Sequence, residues 1–176
     1  MMVNTYEGLL AILVQSEIRF MLVGGLAVSL NGFVRTTEDM DILVDADPDN
    51  LERLLACLVN FGDGYARELS VKDFTDEEGA IRVQEEFDLD IFVRMRGKKY
   101  IDLAPHMRKH EIAGGALVPY LDAEGLVSLK QGSMRDKDRI DVISLLRITN
   151  EPEYKKVTSL DSLRTGKQSA ENEPHE

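Results

Sequence analysis

Two short stretches of this 176-residue chain place aspartates at alternate positions within strongly apolar sequence. They are "DMDILV", which contains Asp39 and Asp41, and "FDLDIFV", which contains Asp88 and Asp90. Because side chains alternate between the two faces of a β-strand, each pair of aspartates shares one face. Neighbouring carboxylates repel one another. Such a face is tolerable if one acid is protonated, if basic side chains lie between the acids, or if a divalent cation is bound.

A second acid-bearing strand beside the first would complete a site of three carboxylates. Such a site can hold two metal ions, and ligands that are all oxygen atoms favour Mg²⁺ or Mn²⁺. Only one of Asp88 and Asp90 is needed, and the residue pattern leaves that choice open. The plainer interpretation, that these aspartates line the solvated edge of a strand, is an alternative for each pair.

A double glycine, Gly24 and Gly25, separates a predicted strand over 19–23 from a predicted short helix over 26–31. A glycine turn between a strand and a helix exposes backbone N–H groups, and the absence of Cβ atoms lets a phosphate approach closely. We therefore predict a phosphate-binding turn. The alternative is a tight turn that serves close packing.

Apolar periodicity predicts a single folded unit over 1–150 with mixed helices and strands, followed by a polar, mobile tail over 151–176. The first helix is predicted over 4–16 with Asn4 as its N-cap. The last helix is predicted over 135–148, with Ile140, Ile143 and Leu146 on its apolar face. The other predicted elements are strands over 40–44, 80–84 and 87–93, and helices that begin at Pro48 and after Asp122.

Charge and composition exclude several classes of protein. The formal net charge of −11 argues against an extended basic surface for nucleic acid, although a local basic cleft is compatible with it. The single cysteine, Cys57, excludes an intrachain disulfide and a cysteine-rich metal site. No apolar run reaches the roughly 20 residues of a membrane helix, and no basic segment precedes an apolar one at the N-terminus. We expect a cytoplasmic protein without a membrane partner.

Two histidines, His106 and His110, lie four residues apart in "HMRKH". On a helix this spacing would place two metal ligands on one face. No acidic third ligand is evident nearby, and the preferred interpretation is a pair of ordinary surface histidines.

The glycine turn and the first aspartate pair together resemble the signature of the nucleotidyltransferase superfamily typified by DNA polymerase beta. That signature is an apolar residue, Gly, then Gly or Ser, and after a short helix Asp-x-Asp or Asp-x-Glu on a strand. The longer run "GGLAVSLNGFVRTTEDMDILV" resembles the small prokaryotic branch that includes abortive-infection toxins and the minimal nucleotidyltransferases of toxin–antitoxin pairs. In that branch an Arg and a Thr precede the two aspartates, and Arg35 and Thr37 fill these places here.

The resemblance extends downstream to about residue 146. It places the third carboxylate of the family at Asp90 in "LDIF", with Asp88 as the second choice. The later run "LVSLKQGSMRDKDRIDVISLL" is similar to a further family feature near the last helix, which maps to Lys130, Arg135, Lys137, Asp138 and Asp141. We predict that Arg135 and Asp138 form an ion pair. One departure from the commonest pattern is Gly25, because many members have Ser there, whose hydroxyl contacts a phosphate.

The resemblance implies an α+β fold, a mixed β-sheet flanked by helices. It also implies an NTP donor, Mg²⁺, and transfer of a nucleoside monophosphate to a hydroxyl with release of pyrophosphate. The implied acceptor is a protein or an RNA, with a cognate toxin or antitoxin as a possible partner. An aminoglycoside-type small molecule is an alternative acceptor, and a nucleotide-binding module that does not turn over is an alternative function.

The roles that the resemblance implies can be carried over residue by residue. The metal ligands are Asp39, Asp41 and Asp90, and Asp90 is also the candidate general base. The nucleotide is bound by Gly24, Gly25, Arg35, Thr37 and Lys130, of which Arg35 or Lys130 neutralises the leaving pyrophosphate. The alternatives are a surface ion pair between Arg35 and Glu38, a strand-forming role for Thr37, and a solvated Lys130.

Overall fold

The fold is built on one mixed β-sheet, and the computed structural model describes residues 5–152. In chain order the helices and strands are α1 Tyr6–Gln15, β1 Phe20–Val23, α2 Gly24–Leu30, β2 Asp39–Val44, α3 Pro48–Leu58, β3 Ala80–Gln84, β4 Asp88–Phe92, α4 Tyr100–Leu103, β5 Met107–Glu111, β6 Leu117–Leu121, α5 Ala123–Lys130 and α6 Asp136–Asn150. The strand order across the sheet is β3-β4-β2-β1-β6-β5. The predicted α+β class, with a mixed sheet flanked by helices, is confirmed.

The two acid-bearing strands are neighbours in the sheet. β2 and β4 run parallel, with Asp39 opposite Asp88 and Asp41 opposite Asp90. β1 is antiparallel to β2, and β3 is antiparallel to β4. The apolar residues of β1 are all buried, which explains why this short strand occupies the middle of the sheet. The register therefore brings four aspartates to one part of the sheet.

Helix caps explain where several helices begin. Thr5, rather than the predicted Asn4, is the N-cap of α1, because its hydroxyl accepts a hydrogen bond from the Gly8 N–H at 3.1 Å. The prediction of Asn4 as the N-cap is therefore wrong, and Asn4 itself lies outside the described residues. Asp47 caps α3 ahead of Pro48, as the sequence predicts. Asp122 caps α5 by accepting from the Gly125 N–H at 2.8 Å.

The last helix presents a different face to the core from the one predicted. Ile140, Ile143 and Leu146 are 55%, 55% and 45% exposed, so the prediction of a buried apolar face is wrong. The buried residues of α6 are Asp138, Asp141 and Leu145. The two aspartates can face inward because basic side chains pair with them inside the protein.

The two histidines do not share a helix face. His106 ends a single 3₁₀ turn and His110 lies in β5, so the hypothesis of two ligands on one helix face is wrong. The Nδ1 atom of His106 lies 3.2 Å from the Asp122 carboxylate, which connects this histidine to the start of α5.

Within residues 5–152, no helix has the length and apolar character that crossing a bilayer requires. The cytoplasmic location and the single unit over 1–150 stay predictions. The predicted mobile tail, 151–176, lies outside the described residues except for its first two positions.

Candidate active site

A row of charged side chains crosses three neighbouring strands at the end of the glycine turn. In the strand register Arg82 of β3 is opposite Asp90 of β4, and Asp90 is opposite Asp41 of β2. Asp41 in turn pairs with Val23, the last residue of β1 before the glycines. The aspartates from two distant parts of the sequence are therefore adjacent in space, beside the turn.

Arg82 is the counter-charge of this row, and the sequence reasoning did not identify it. Its Nε and Nη2 atoms each donate to Asp90 at 2.7 Å, to Oδ1 and Oδ2 respectively. Its Nη1 atom donates to Asp88 at 3.1 Å, and its Nη2 atom lies 3.8 Å from Asp39. The carboxylates hold the pKa of Arg82 above its ordinary value, with the hydrogen bonds to Asp90 as the main cause. One signal was available: in "AIRVQ" the alternation puts Arg82 on the face opposite Ile81 and Val83.

Asp41 is the acid that Arg82 does not reach. Burial raises the pKa of its carboxyl to about 6, and repulsion from Asp90 and Asp39 adds to the increase, while Lys130 and Lys137 oppose it. At neutral pH this carboxylate carries a charge that the protein only partly compensates. Of the three ways to tolerate paired acids, a basic side chain is in use at Asp90 at neutral pH, and the raised pKa of Asp41 makes protonation available only below about pH 6.

The structure separates Asp88 from Asp90. The Asp90 side chain is 9% exposed and lines the same cavity as Asp39 and Asp41. The Asp88 side chain is 26% exposed and does not line that cavity. This geometry favours Asp90 over Asp88 as the third carboxylate.

The glycine turn is packed so closely that larger residues do not fit. Gly24 has φ +62°, and a Cβ atom on it would overlap the Asp41 carboxylate. A Cβ atom on Gly25 would lie 2.8 Å from the Thr37 hydroxyl and 3.0 Å from the Arg35 guanidinium. This crowding explains why position 25 holds Gly rather than Ser. The Thr37 hydroxyl also donates to the Asp39 carbonyl at 3.1 Å, so Thr37 braces the turn and lies outside the cavity lining.

Arg35 and Lys130 line the cavity but are already paired with buried acids. The Nζ atom of Lys130 lies 2.9 Å from Asp138 and 3.0 Å from Asp141, and the Nε atom of Arg35 lies 3.1 Å from Asp141. The predicted pair of Arg135 and Asp138 is present at 2.7 Å. The predicted alternatives, a pair with Glu38 for Arg35 and a solvated Lys130, do not describe these side chains.

Asp138 is the best-satisfied acid of this buried cluster. Burial alone would raise the pKa of its carboxyl, but hydrogen bonds from Ser133, Lys130 and Arg135 outweigh burial and hold that pKa well below its usual range. Asp138 is therefore a carboxylate throughout the neutral range. The cluster ties α6 to α5, and its link to Arg35 ties both helices to the segment before β2.

Many of these groups line one cavity of about 320 Å³. Its lining contains seven basic and five acidic residues, although the whole chain carries a net charge of −11. They are Arg35, Arg82, Arg94, Arg96, Lys130, Arg135 and Lys137, and Asp39, Asp41, Glu78, Asp90 and Asp138. The excess of positive charge makes the cavity suitable for a polyanion.

The basic loop over 94–99 forms one wall of this cavity and is held by two acids. Asp76 pairs with Arg94 at 2.8 Å and with Lys99 at 2.7 Å. Glu78 accepts from the backbone N–H groups of Arg96 and Gly97, at 2.9 and 2.6 Å. The loop is thereby fixed with the Arg96 side chain against the cavity.

The donor set of Asp39, Asp41 and Asp90 fits a hard divalent cation, because it consists of carboxylate oxygens and leaves Asp41 short of positive charge. Among residues 5–152, no three Asp, Glu, His or Cys side chains lie in an arrangement that could hold a metal ion as they stand. In this arrangement the Arg82 guanidinium takes both oxygens of Asp90.

No known protein family matches the sequence, and no curated protein matches it either. Solved structures do match the fold. A crystal structure of ANT(2″)-Ia in complex with adenylyl-2″-tobramycin has a TM-score of 0.51 and 10% identity, over 89% of this chain and 94% of that one. A solution structure of the antibiotic-resistance factor ANT(2″)-Ia has a TM-score of 0.50 and 12% identity, over 93% and 91%.

A protein of Thermotoga maritima, itself predicted to be a nucleotidyltransferase, overlaps with a TM-score of 0.47 and 15% identity, over 93% of this chain and 90% of that one. At these identities the likeness concerns the fold alone. The chain has the nucleotidyltransferase fold.

Proposed function

We propose that this protein is a nucleotidyltransferase that moves a nucleoside monophosphate from an NTP to an acceptor hydroxyl. The observation that carries the proposal is the row of Asp41 and Asp90 on adjacent parallel strands, beside the glycine turn and inside a basic cavity. An acidic row alone would suit many roles. Its position in a cavity that is lined by more basic than acidic residues is what favours nucleotide chemistry.

The reaction is an in-line displacement at the α-phosphorus of the NTP. The acceptor oxygen forms a bond to that phosphorus, the bond from the phosphorus to the β-phosphate oxygen breaks, and pyrophosphate leaves with the electron pair. The proton of the acceptor hydroxyl goes to a carboxylate or to solvent, and Asp90 is our candidate base.

In this proposal Asp39, Asp41 and Asp90 hold Mg²⁺ or Mn²⁺. When bound, such an ion lowers the pKa of a hydroxyl and screens the charge of the phosphates. Gly24 and Gly25 begin α2 and line the cavity, and their backbone is our candidate contact for the triphosphate.

Leaving-group charge needs a cation that is not already neutralised. Lys130 and Arg35 both share Asp141, so their net effect on a phosphate is reduced. Lys137 lines the cavity and has no hydrogen bond or ion pair within residues 5–152. We therefore add Lys137 to Arg35 and Lys130 as a group that binds the phosphates of the NTP.

The sequence and the fold favour different classes of acceptor. The likeness of the sequence to abortive-infection toxins favours a protein or RNA hydroxyl, within a toxin–antitoxin or phage-defence setting. The fold it shares with ANT(2″)-Ia, whose structure contains adenylyl-2″-tobramycin, makes an aminoglycoside the first small molecule to test.

The test uses NTPs labelled at the α-phosphate or at the γ-phosphate, with Mg²⁺ and separate RNA, protein and aminoglycoside acceptors. We expect label transfer from the α-position only, because a phosphoryl transfer would move the γ-label instead. Asp41→Asn should abolish transfer, and the control Asp136→Asn, whose side chain is 93% exposed, should retain most of it. Transfer of the γ-label, or equal activity of Asp41→Asn and the wild type, would contradict the proposal.

A second candidate function is a binding module that holds nucleotide without turnover. The engagement of both Asp90 oxygens by Arg82 favours it, because this acid is then unavailable as it stands. Saturable NTP binding with no label transfer to any of the three acceptor classes would support this candidate over the enzyme.

A further inference from the structure

The Arg82 guanidinium lies beside Asp90, at the position that a metal ion would take in the proposed function. It lies on β3 directly opposite Asp90, and it contacts Asp88, Asp90 and, at 3.8 Å, Asp39. A guanidinium and a divalent cation carry the same sign of charge and compete for the same oxygens. The contact with Asp90 uses both of its oxygens, so a cation cannot take that carboxylate in bidentate fashion while Arg82 remains.

The surroundings of Arg82 allow it to leave. β3 is an edge strand of the sheet, and the Arg82 side chain is 46% exposed. Rotation of this side chain breaks no hydrogen bond of the strand ladder, because the donors involved are on the guanidinium alone. Asp88 already accepts from its Nη1 atom at 3.1 Å, and this more exposed acid provides a partner for the guanidinium after it leaves Asp90.

One guanidinium does not neutralise the row. Asp39, Asp41, Asp88 and Asp90 bring four carboxylates to this corner of the sheet, and Arg82 supplies one positive charge. Asp41 lines the cavity and has no hydrogen bond or ion pair with a basic side chain within residues 5–152. The corner therefore retains a demand for a further cation, and a doubly charged one meets that demand better than Arg82 does.

We propose that Arg82 is a tethered counter-ion of the carboxylate row, which competes with a divalent cation for Asp90 and moves off this acid when the cation binds. Arg82 then sets the cation affinity of the site as a competitor, and Asp88 serves as its second partner. The inference rests on the proposed function, in which Asp90 is a metal ligand. It also gives Asp88 a role that differs from that of Asp90.

The experiment measures cation binding to the full chain without substrate. Free Mn²⁺ is followed by electron paramagnetic resonance during titration of the wild type, Arg82→Gln and Arg96→Gln. Arg96 lines the same cavity, but no contact joins it to the aspartates, so its variant is a control for the loss of one positive charge. We expect Arg82→Gln to bind Mn²⁺ about tenfold or more tightly than the wild type, and Arg96→Gln to change the affinity less than about threefold.

A second measurement follows the displacement itself and does not depend on a variant folding. In the wild type the Arg82 Nε–H donates to Asp90, and its ¹⁵N resonance reports that hydrogen bond. Saturation with Mg²⁺ should move this resonance toward the position of a solvated arginine. If the resonance stays in place at saturating Mg²⁺, Arg82 does not leave Asp90 and the inference is wrong.

The outcomes also separate this inference from the function on which it rests. If the wild type binds Mn²⁺ and transfers nucleotide while Arg82→Gln binds Mn²⁺ no more tightly, the function stands and the role of Arg82 is wrong. If neither the wild type nor Arg82→Gln binds Mn²⁺, both the metal-dependent function and the competition fail.

Discussion

Among single residues, Gly24 links the backbone conformation at this position to the Asp41 carboxylate of the site. Its φ of +62° lies in the left-handed region, and a Cβ atom there would overlap the Asp41 carboxylate. We expect Gly24→Ala to lower the free energy of unfolding by more than about 2 kcal/mol, because strain and overlap add. Gly114→Ala is the matched control, since Gly114 has φ +91° and open space around it.

Urea unfolding of both glycine variants measures this difference. For the control we expect only the backbone strain of about 1–2 kcal/mol. Equal losses in the two variants would mean that Asp41 moves aside without cost and does not constrain the turn.

Asp41 carries a prediction about pH. Its pKa of about 6 in the folded chain lies above the ordinary value of 3.8, and burial is the main cause. An acid whose pKa is higher in the folded than in the unfolded chain favours folding less as pH rises from the unfolded to the folded pKa. This loss of stability persists at higher pH. In a chelator-treated sample, Asp41→Asn should therefore gain stability relative to the wild type on going from about pH 4 to about pH 8, on the order of 2 kcal/mol.

The measurement is urea unfolding of Asp41→Asn and the wild type at both pH values. Asp136→Asn serves as the control, because the Asp136 side chain is 93% exposed, and its difference from the wild type should change little. A difference for Asp41→Asn that is the same at both pH values would contradict the burial argument.

At the scale of elements, α6 shows how a helix can bury its acids and expose its aliphatic residues. Leu145 is fully buried, whereas Ile143 is 55% exposed. We expect Leu145→Ala to destabilise the protein by about 2–5 kcal/mol and Ile143→Ala by less than about 1 kcal/mol. Thermal or urea unfolding of the two variants decides which face is inward. If Ile143→Ala destabilises the protein more than Leu145→Ala, the face that apolar periodicity predicts is the buried one.

The strands were predictable from the sequence because a period of two leaves few alternatives. β2, β3 and β4 begin and end within one residue of the predicted bounds, and the shared face of Asp39 and Asp41 follows from alternation. The inward face of α6 was not predictable in the same way. Apolar periodicity assumes that charged residues face solvent, and that assumption fails where Lys130 and Arg35 meet Asp141 inside the protein.

Arg82 was missed for a related reason. Its strand was predicted, and basic side chains between the acids were one of the recognised ways to tolerate them. Pairing Arg82 with Asp90 requires the register between β3 and β4, which long-range hydrogen bonds fix and the local pattern does not contain. Side-chain partners across strands are therefore the part of the site that the sequence leaves open.

At the scale of the whole molecule, the sign of charge differs between the cavity and the rest of the surface. A chain of net charge −11 repels anions at long range, yet the cavity lining has more basic than acidic groups. The proposed nucleotide binding would then depend on short-range contacts within the cavity, and a triphosphate should gain more from them than a monophosphate.

Lys137 allows this argument to be tested, because it lines the cavity and has no ion pair within residues 5–152. We expect Lys137→Ala to weaken ATP binding about tenfold and AMP binding less than about threefold, since the distal phosphates carry most of the added charge. Lys109→Ala is the control, because Lys109 is exposed on β5 at the opposite edge of the sheet. Equilibrium binding of a fluorescent ATP analogue, with ATP and AMP as competitors, gives both ratios. Equal weakening of ATP and AMP would place Lys137 near the base or ribose instead.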